Sequence, residues 1–294
     1  MVKRGKSINL FLMDGEASGR IKCTLANWTG VAYRIPRTAL DLCKERDDLK
    51  QSGVYFLFGT SDQTGNNVVY IGQAGARKNG EGLLYRLQEH KRNPDKDYWT
   101  EAVVFTTSNN SFGPTEISYL ENRFCGLALA AKRYDVKNGN DPTHGNITEE
   151  KESELEEFVD YARIVMGTLG HKVFDPIVSS EPAMNTEKQN EAEEPILFFN
   201  RANHKATGRR TSEGFVVFKG SAIVSNLQKS CPENVIKLRD RYVSKIDDNH
   251  ILMEDVLLSS PSAAAAFVGG SSLSGNEMWK TEDGITLKNL EKNE

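Results

Sequence analysis

The side chains in this sequence that are best suited to chemistry lie between residues 53 and 121. Two tyrosines belong to short triplets, Gly53-Val54-Tyr55 and Tyr70-Ile71-Gly72. Arg86 and His90 follow four residues apart, and a carboxylate follows at Glu121. Phenol, imidazole and carboxylate groups transfer protons, and a guanidinium binds anions through its planar fork. If folding brings these groups together, they could transfer protons beside a bound anion.

Two predicted strands would carry the tyrosines. Val54–Phe58 and Val68–Ile71 are rich in β-branched and aromatic residues, and the residues between them, Gly59–Asn67, are turn formers. We therefore predict a hairpin with a long loop. Such a hairpin places the two hydroxyl groups on adjacent strands, and in a suitable register they point into one site.

Two predicted helices would carry the other candidates. Leu83–Arg92 reads as a short helix, in which Arg86 and His90 share a face because they are four residues apart. After a third strand, Ala102–Thr106, the stretch Thr115–Arg133 has an apolar stripe at helical spacing, with Glu121 beside it. The element order β-β-α-β-α predicts an α+β fold.

Over about residues 53–140, this constellation resembles the GIY-YIG nuclease family. The two triplets match the signature that names the family, and Arg86-Leu87 is similar to the arginine motif on its next helix. Several members have a His or Tyr where His90 falls. This sequence departs from the family at Gln73, where many members have Lys. Its loops between the triplets and before the arginine are also longer than usual.

The second half of the resemblance lies on the longer helix and just beyond it. Thr115–Glu121 is similar to a family pattern, TExxxLE, that ends in a metal-binding glutamate. A later asparagine of the family matches Asn140, with Asn138 as the alternative. The resemblance implies the GIY-YIG fold, a small antiparallel sheet flanked by helices. It implies the following catalytic set: Tyr55, Tyr70, Arg86, His90, Glu121 and Asn140.

The resemblance also implies a reaction, the hydrolysis of DNA phosphodiester bonds with Mg²⁺ or Mn²⁺. Glu121 would hold the metal ion and Arg86 would contact the phosphate. Tyr55 or Tyr70 would act as the base, and His90 would share that role or position the tyrosine. The asparagine would brace the site.

Each of these residues also has a structural interpretation. A tyrosine in a half-buried strand usually packs, and Glu121 could simply pair with Arg123 or Arg86. Arg86 and His90 could form a solvated helix face. Two neighbouring residues, Glu116 and Trp99, are expected to be structural rather than functional.

Composition sets the class of protein. The chain has 294 residues, 38% hydrophobic and 27% charged, and a net charge of −4 that gives no overall attraction to nucleic acid. No apolar run is long enough for a membrane span, and we expect no signal peptide. Its four cysteines are far apart without a CxxC motif, which argues against a zinc site or a disulfide framework. We therefore expect a cytoplasmic protein.

The sequence predicts five segments. They are a β-rich N-terminal extension (1–50), a GIY-YIG domain (51–145), an amphipathic helix and tail (146–178), an acidic linker (179–195) and a separate small α+β module (196–294). In the last segment, the string SPSAAAA followed by Gly275, Trp279-Lys280 and Asp283-Gly284 resembles an uncharacterised C-terminal module of bacterial proteins, some of which carry GIY-YIG domains.

Two other functions stay open at this point. The chain could be a catalytically silent nucleic-acid-binding protein that kept the fold, or a protein-interaction scaffold that uses residues 196–294. For the nuclease, the expected partner is DNA. The oligomeric state is open, although a double-strand cut by one small site would favour a dimer.

Overall fold

The structure is a computed structural model that describes residues 4–75, 82–139, 147–177, 194–201, 204–229 and 231–293. The chain divides into two compact units, Met1–Pro176 and Ile177–Glu294. Each combines one sheet with helices, so the predicted α+β class is confirmed. Most of the predicted linker, residues 179–193, lies outside the described residues.

The described residues of the first unit form seven strands and three α-helices. The strands are β1 (Ile8–Leu12), β2 (Ile21–Leu25), β3 (Gly30–Pro36), β4 (Gly53–Thr60), β5 (Asn67–Ala74), β6 (Trp99–Thr107) and β7 (Asp135–Val136). The helices are α1 (Leu83–Arg92), α2 (Pro114–Ala131) and α3 (Glu149–Thr168). The strands form one sheet in the order β1-β2-β3-β6-β4-β5-β7, antiparallel throughout except for the parallel pair β5 and β7.

Both faces of this sheet are covered. Helices α2 and α3 pack on one face. There the apolar side chains of both helices form one core with Phe56 and Phe105 of the sheet. Helix α1 packs on the other face, where Tyr55 and Leu57 belong to a second core. Successive residues of β4 therefore enter opposite cores, as the alternation of a strand requires.

The sheet is larger than the small sheet expected from the sequence. The predicted extension, residues 1–50, supplies three strands, and β3 pairs with β6 along its whole length. Both faces of β3 are buried, since Ala32 lies in one core while Tyr33 lies in the other. The end of the predicted extension contains two 3₁₀ segments, Arg37–Cys43 and Asp47–Lys50, of the kind that often connects regular elements.

In the part of the second unit that the structure describes, there are five strands and four α-helices. The strands are β8 (Leu197–Arg201), β9 (His204–Thr211), β10 (Gly214–Val217), β11 (Val256–Leu258) and β12 (Trp279–Lys280). The helices are α4 (Glu233–Arg241), α5 (Pro261–Gly269), α6 (Gly275–Met278) and α7 (Leu287–Asn293). The sheet is antiparallel in the order β11-β10-β9-β8-β12, and α5 is buried against it.

No helix in the described part of the chain is both long enough and apolar enough to cross a lipid bilayer.

Candidate active site

The two tyrosines meet because β4 and β5 pair in a register that puts them on one face of the sheet. Tyr55 lies opposite Gly72, and Tyr70 lies opposite Leu57, two positions along. The two tyrosine ring centroids are 6.3 Å apart. Tyr55 is almost fully buried, with 1% of its surface exposed, whereas Tyr70 is half-buried. Of the two, Tyr70 is therefore the one that a substrate can reach.

The glycine of the second triplet is required by this arrangement. A Cβ atom added at Gly72 would lie 2.3 Å from the Tyr55 hydroxyl oxygen and 2.5 Å from Cζ of the same ring. Atoms cannot approach that closely without displacement, so the Tyr55 phenol occupies the space that a side chain at position 72 would need. Gly72 thus positions Tyr55.

Helix α1 brings His90 and Arg86 to the tyrosines. The imidazole of His90 is 4% exposed, and its Nε2 atom lies 2.6 Å from the Tyr55 hydroxyl oxygen in a hydrogen bond. Its ring centroid is 5.4 Å from that of Tyr70. Arg86, one turn earlier, is 40% exposed and bonds Glu89 at 2.6 Å. The helix therefore supplies a buried imidazole and a partly exposed guanidinium to one place.

The buried groups of this cluster are neutral. Burial, and then the charges of Lys96 and Arg86, lower the pKa of His90 to about 3. Burial raises the pKa of Tyr55 far above its usual range, and the Tyr70 hydroxyl adds to that effect. An imidazole with so low a pKa is a poor proton acceptor at pH 7. The hydrogen bond between His90 and the Tyr55 hydroxyl is instead suited to orienting Tyr55.

The accessible phenol is subject to opposing influences. Burial and the charge of Glu121 raise the pKa of Tyr70. The Arg86 charge and a hydrogen bond from Tyr55 lower it. The second pair of effects stabilises the phenolate, the form of tyrosine that can accept a proton.

Glu121 comes from α2, on the other side of the sheet, and faces the site at the edge of β5. Its Oε2 atom accepts a hydrogen bond of 2.9 Å from Nε2 of Gln73 on β5. Burial raises the pKa of Glu121, while the Gln73 bond and then the Arg86 charge oppose that rise. The ion pair with Arg123 that would make Glu121 structural is not formed, because Arg123 pairs with Glu156 at 2.7 Å. Within the described ranges, no Lys or Arg lies at ion-pair distance from Glu121.

Asn138 completes the edge of the strand that carries the second triplet. Its Oδ1 atom accepts from the Ile71 amide at 3.1 Å, and its Nδ2 donates to the Ile71 carbonyl at 2.7 Å. Beyond the end of β7, the Asn138 side chain therefore takes the place of a strand backbone and braces β5 through these two bonds. Asn140, the other candidate, lies outside the described residues.

A divalent cation suits this donor set. Among the residues that the structure describes, no three His, Cys, Asp or Glu side chains are grouped as a metal site, so a metal ion beside Glu121 would have a single carboxylate ligand there. Zinc requires three or four protein ligands, whereas Mg²⁺ uses one or two carboxylates and completes its shell with water and phosphate oxygens. The half-buried Glu121 carboxylate, which has no cationic partner among the described residues, fits Mg²⁺ or Mn²⁺.

The two residues expected to be structural do have structural positions. The Glu116 carboxylate accepts from the Gly113 amide at 3.0 Å and caps α2. Trp99 is 1% exposed and belongs to the core under α1. Both side chains therefore have a structural role.

Sequence reasoning missed two residues that the structure brings to this cluster, Gln73 and Lys96. Gln73 departs from the family pattern, but it directly follows the second triplet on β5 and bonds Glu121 of α2. Lys96 lies in a turn, with its Nζ atom 3.2 Å from the centroid of the Tyr70 ring. No periodicity of helix or strand could have indicated that contact.

The C-terminal string found in the sequence forms the framework of the second unit. Ser260 caps α5 through a bond of its side chain with the Ala263 amide at 3.1 Å. Trp279 is fully buried, and its Nε1 donates to the Pro261 carbonyl at 3.0 Å. Gly275 lies so close to the start of α5 that a Cβ there would be 2.2 Å from the Pro261 carbonyl carbon. These residues join α5 to β12, and none of these contacts indicates catalysis.

Comparison with known proteins identifies a family for this second unit. A family described as a domain of unknown function (DUF4357) matches residues 197–291, about a third of the chain. Searches of the curated proteins and of the solved structures found no match.

Proposed function

We propose that this protein is a divalent-metal-dependent endonuclease of the GIY-YIG type that hydrolyses DNA phosphodiester bonds. One arrangement carries the proposal. Tyr55, Tyr70, Arg86, His90 and Glu121, taken in chain order from β4, β5, α1 and α2, converge on one place, with Tyr55 bonded to His90 at 2.6 Å. Each residue alone has a structural interpretation. Packing alone, however, gives no reason for two phenols, a guanidinium and a carboxylate with no cationic partner in the described part of the chain to meet.

Phosphodiester hydrolysis requires four functions. The negative charge of the phosphate must be offset, a water must be aligned, its proton must be accepted, and the leaving oxygen must be stabilised. Arg86 is suited to the first function, because its guanidinium is partly exposed beside the tyrosines. A Mg²⁺ or Mn²⁺ ion held by Glu121 would supply Lewis-acid stabilisation of the phosphate and the leaving oxygen.

Tyr70 is the better base of the two tyrosines, because it is the accessible one. In its phenolate form, Tyr70 would accept the proton of the attacking water on its phenolate oxygen. Tyr55 would donate a hydrogen bond to that oxygen, in line with its effect of lowering the pKa of Tyr70. His90, neutral at pH 7, would hold the Tyr55 hydroxyl in the orientation that this bond needs.

The Glu121 charge works against the phenolate in the free protein. After burial, it is the largest effect that raises the pKa of Tyr70. A cation bound to Glu121 would offset that charge and lower the pKa of Tyr70. Metal binding would therefore favour the phenolate form of Tyr70. This coupling gives a reason why the carboxylate and the phenol lie near the same strand.

The test is nicking of supercoiled plasmid at low salt with Mg²⁺, with Mn²⁺ and with EDTA. The wild type is compared with Glu121→Gln and with Glu116→Gln, a matched carboxylate on the same helix. Glutamine retains the capping role of position 116, since capping boxes accept Glu or Gln. We expect metal-dependent nicking that falls by about 10²-fold or more in Glu121→Gln and is unchanged in Glu116→Gln. Absence of nicking by the wild type under all metal conditions, or equal activity in the two variants, would reject the proposal.

A further inference from the structure

Lys96 occupies a position in the candidate site that neither the sequence motifs nor the family resemblance assigns. It ends a 3₁₀ turn, Pro94–Lys96, between α1 and β6. The turn is fixed by Asn93, whose Oδ1 accepts from the Asp95 amide at 2.9 Å. From there the Lys96 side chain reaches over Tyr70, with Nζ 3.2 Å from the ring centroid.

Among the described residues, no carboxylate compensates the charge of Lys96. Neighbouring cations have carboxylate partners: Lys91 pairs with Asp41 at 2.9 Å, and Arg86 pairs with Glu89 at 2.6 Å. For Lys96, no carboxylate among the described residues lies within ion-pair distance. Burial of an ammonium group without a counter-ion is costly, and an incoming anion would offset that cost.

The pKa of Lys96 agrees with the lack of a carboxylate partner among the described residues. Burial, and then the Arg86 charge, lower the pKa of Lys96 to about 8. Lys96 in turn helps to depress the pKa of His90. The protonated ammonium is therefore poorly stabilised in the free protein and gains from any negative charge placed beside Tyr70.

We propose that Lys96 binds a phosphate of the DNA backbone beside the Tyr55–Tyr70 pair, as a substrate-contacting residue. This inference rests on the proposed function, because it takes a phosphodiester as the substrate. The ammonium group acts as a point charge without base specificity, so it contributes affinity and position rather than sequence choice. Arg86 and Lys96 would then contact the backbone from two elements, α1 and the turn that follows it.

A phosphate contact has a measurable salt signature. Each phosphate neutralised by a protein cation changes the slope of log K against log salt by about 0.9 for duplex DNA. Removing the Lys96 charge should therefore weaken binding to all sequences alike and reduce that slope by about 1. We expect the affinity at low salt to fall by about tenfold, the size of one hydrogen bond to a charged group.

The experiment is fluorescence anisotropy of a labelled duplex in EDTA, where binding is measured without cleavage, over a series of salt concentrations. Lys96→Met is compared with Lys91→Met, a matched variant that removes a nearby cation already paired with Asp41. We expect the smaller slope in Lys96→Met only, with Lys96→Arg close to the wild type. Equal slopes for Lys96→Met and the wild type, or equal losses in the two methionine variants, would overturn the proposal.

A pH series gives a second readout that does not depend on the folding of Lys96→Met. The groups near Lys96 are Tyr70 on β5 and Arg86 and His90 on α1. Tyr98, just before β6, interacts with Tyr70. None of them titrates near pH 8, because the pKa values of Tyr70 and Arg86 are raised, that of Tyr98 is about 12 and that of His90 about 3. Wild-type affinity should fall as the pH rises through about 8, and Lys96→Arg should lack that fall. A fall of the same size in both proteins would count against a contact from Lys96.

Failure of this inference and failure of the proposed function give different results. A wild type that binds DNA with the Lys96-dependent slope but never cuts it supports the contact and rejects the nuclease. A wild type that cuts DNA while Lys96→Met keeps the full slope rejects only the contact. A wild type without affinity for DNA rejects both.

Discussion

Gly72→Ala places a methyl group where the Tyr55 phenol now lies. The added Cβ would be 2.3 Å from the hydroxyl oxygen, and the ring cannot retreat freely because it is 1% exposed and bonded to His90. Overpacking of a buried site costs about 1–3 kcal/mol. If Tyr55 moves away, the buried Nε2 atom of His90 loses its partner, which costs about 1–3 kcal/mol more.

We therefore expect Gly72→Ala to lower the free energy of unfolding by about 2–5 kcal/mol, measured by urea denaturation. The matched control is Gly75→Ala, whose Cβ would make only an ordinary contact of 3.9 Å with Ile117. It should stay within about 0.5 kcal/mol of the wild type. Because a displacement of about 1 Å at a reacting group can cost about 10²-fold in rate, nicking by Gly72→Ala should fall by that order even under conditions where the protein is folded.

A second variant identifies the cause of the destabilisation. Tyr55→Phe removes the oxygen that lies closest to the added methyl group, so the two changes should couple by about 1 kcal/mol or more in a double-mutant cycle. Additive effects would show that the clash with Tyr55 is not the source. Equal stability of Gly72→Ala and Gly75→Ala would refute the reasoning as a whole.

Two further predictions concern the groups around the tyrosines. His90 has a pKa of about 3 in the folded protein and about 6.5 when unfolded, so between these values the unfolded chain binds the additional proton and stability is lost as the pH falls. The urea midpoint of the wild type should therefore drop more steeply from pH 6.5 towards 4 than that of His90→Gln, and parallel curves would contradict this assignment. Asn138→Ala removes both side-chain bonds to Ile71 and should cost about 1–3 kcal/mol, with faster hydrogen exchange at the Ile71 amide; unchanged protection there would show that Asn138 does not brace β5.

Much of the candidate site could be predicted from local sequence patterns. The hairpin followed from β-branched strands around a turn-forming loop, and the bounds predicted for α1, Leu83–Arg92, are those of the structure. Because Arg86 and His90 are one helical turn apart, periodicity also put them on one face of α1. Local periodicity was sufficient for these features because each depends on neighbouring residues.

Other features depend on contacts between distant segments. The pairing of β3 with β6 joins residues 30–36 to residues 101–107, and the alternation in either strand does not indicate its partner. The bonds from Asn138 to Ile71 and the contact of Lys96 with Tyr70 are made by side chains in irregular segments, to which no period applies. In the second unit, β9 (His204–Thr211) has few apolar residues, so its sequence gives little strand signal.

The central claim is that the Tyr70 hydroxyl takes part in cleavage at this site. Its most direct test is the single-turnover nicking rate of Tyr70→Phe, with Tyr98→Phe as a matched control that removes the same atom from a neighbouring half-buried tyrosine. We predict a loss of about 10²-fold or more for Tyr70→Phe with unchanged DNA affinity in EDTA, and a wild-type rate for Tyr98→Phe. Equal rates for Tyr70→Phe and the wild type would contradict the assignment of Tyr70 as the base.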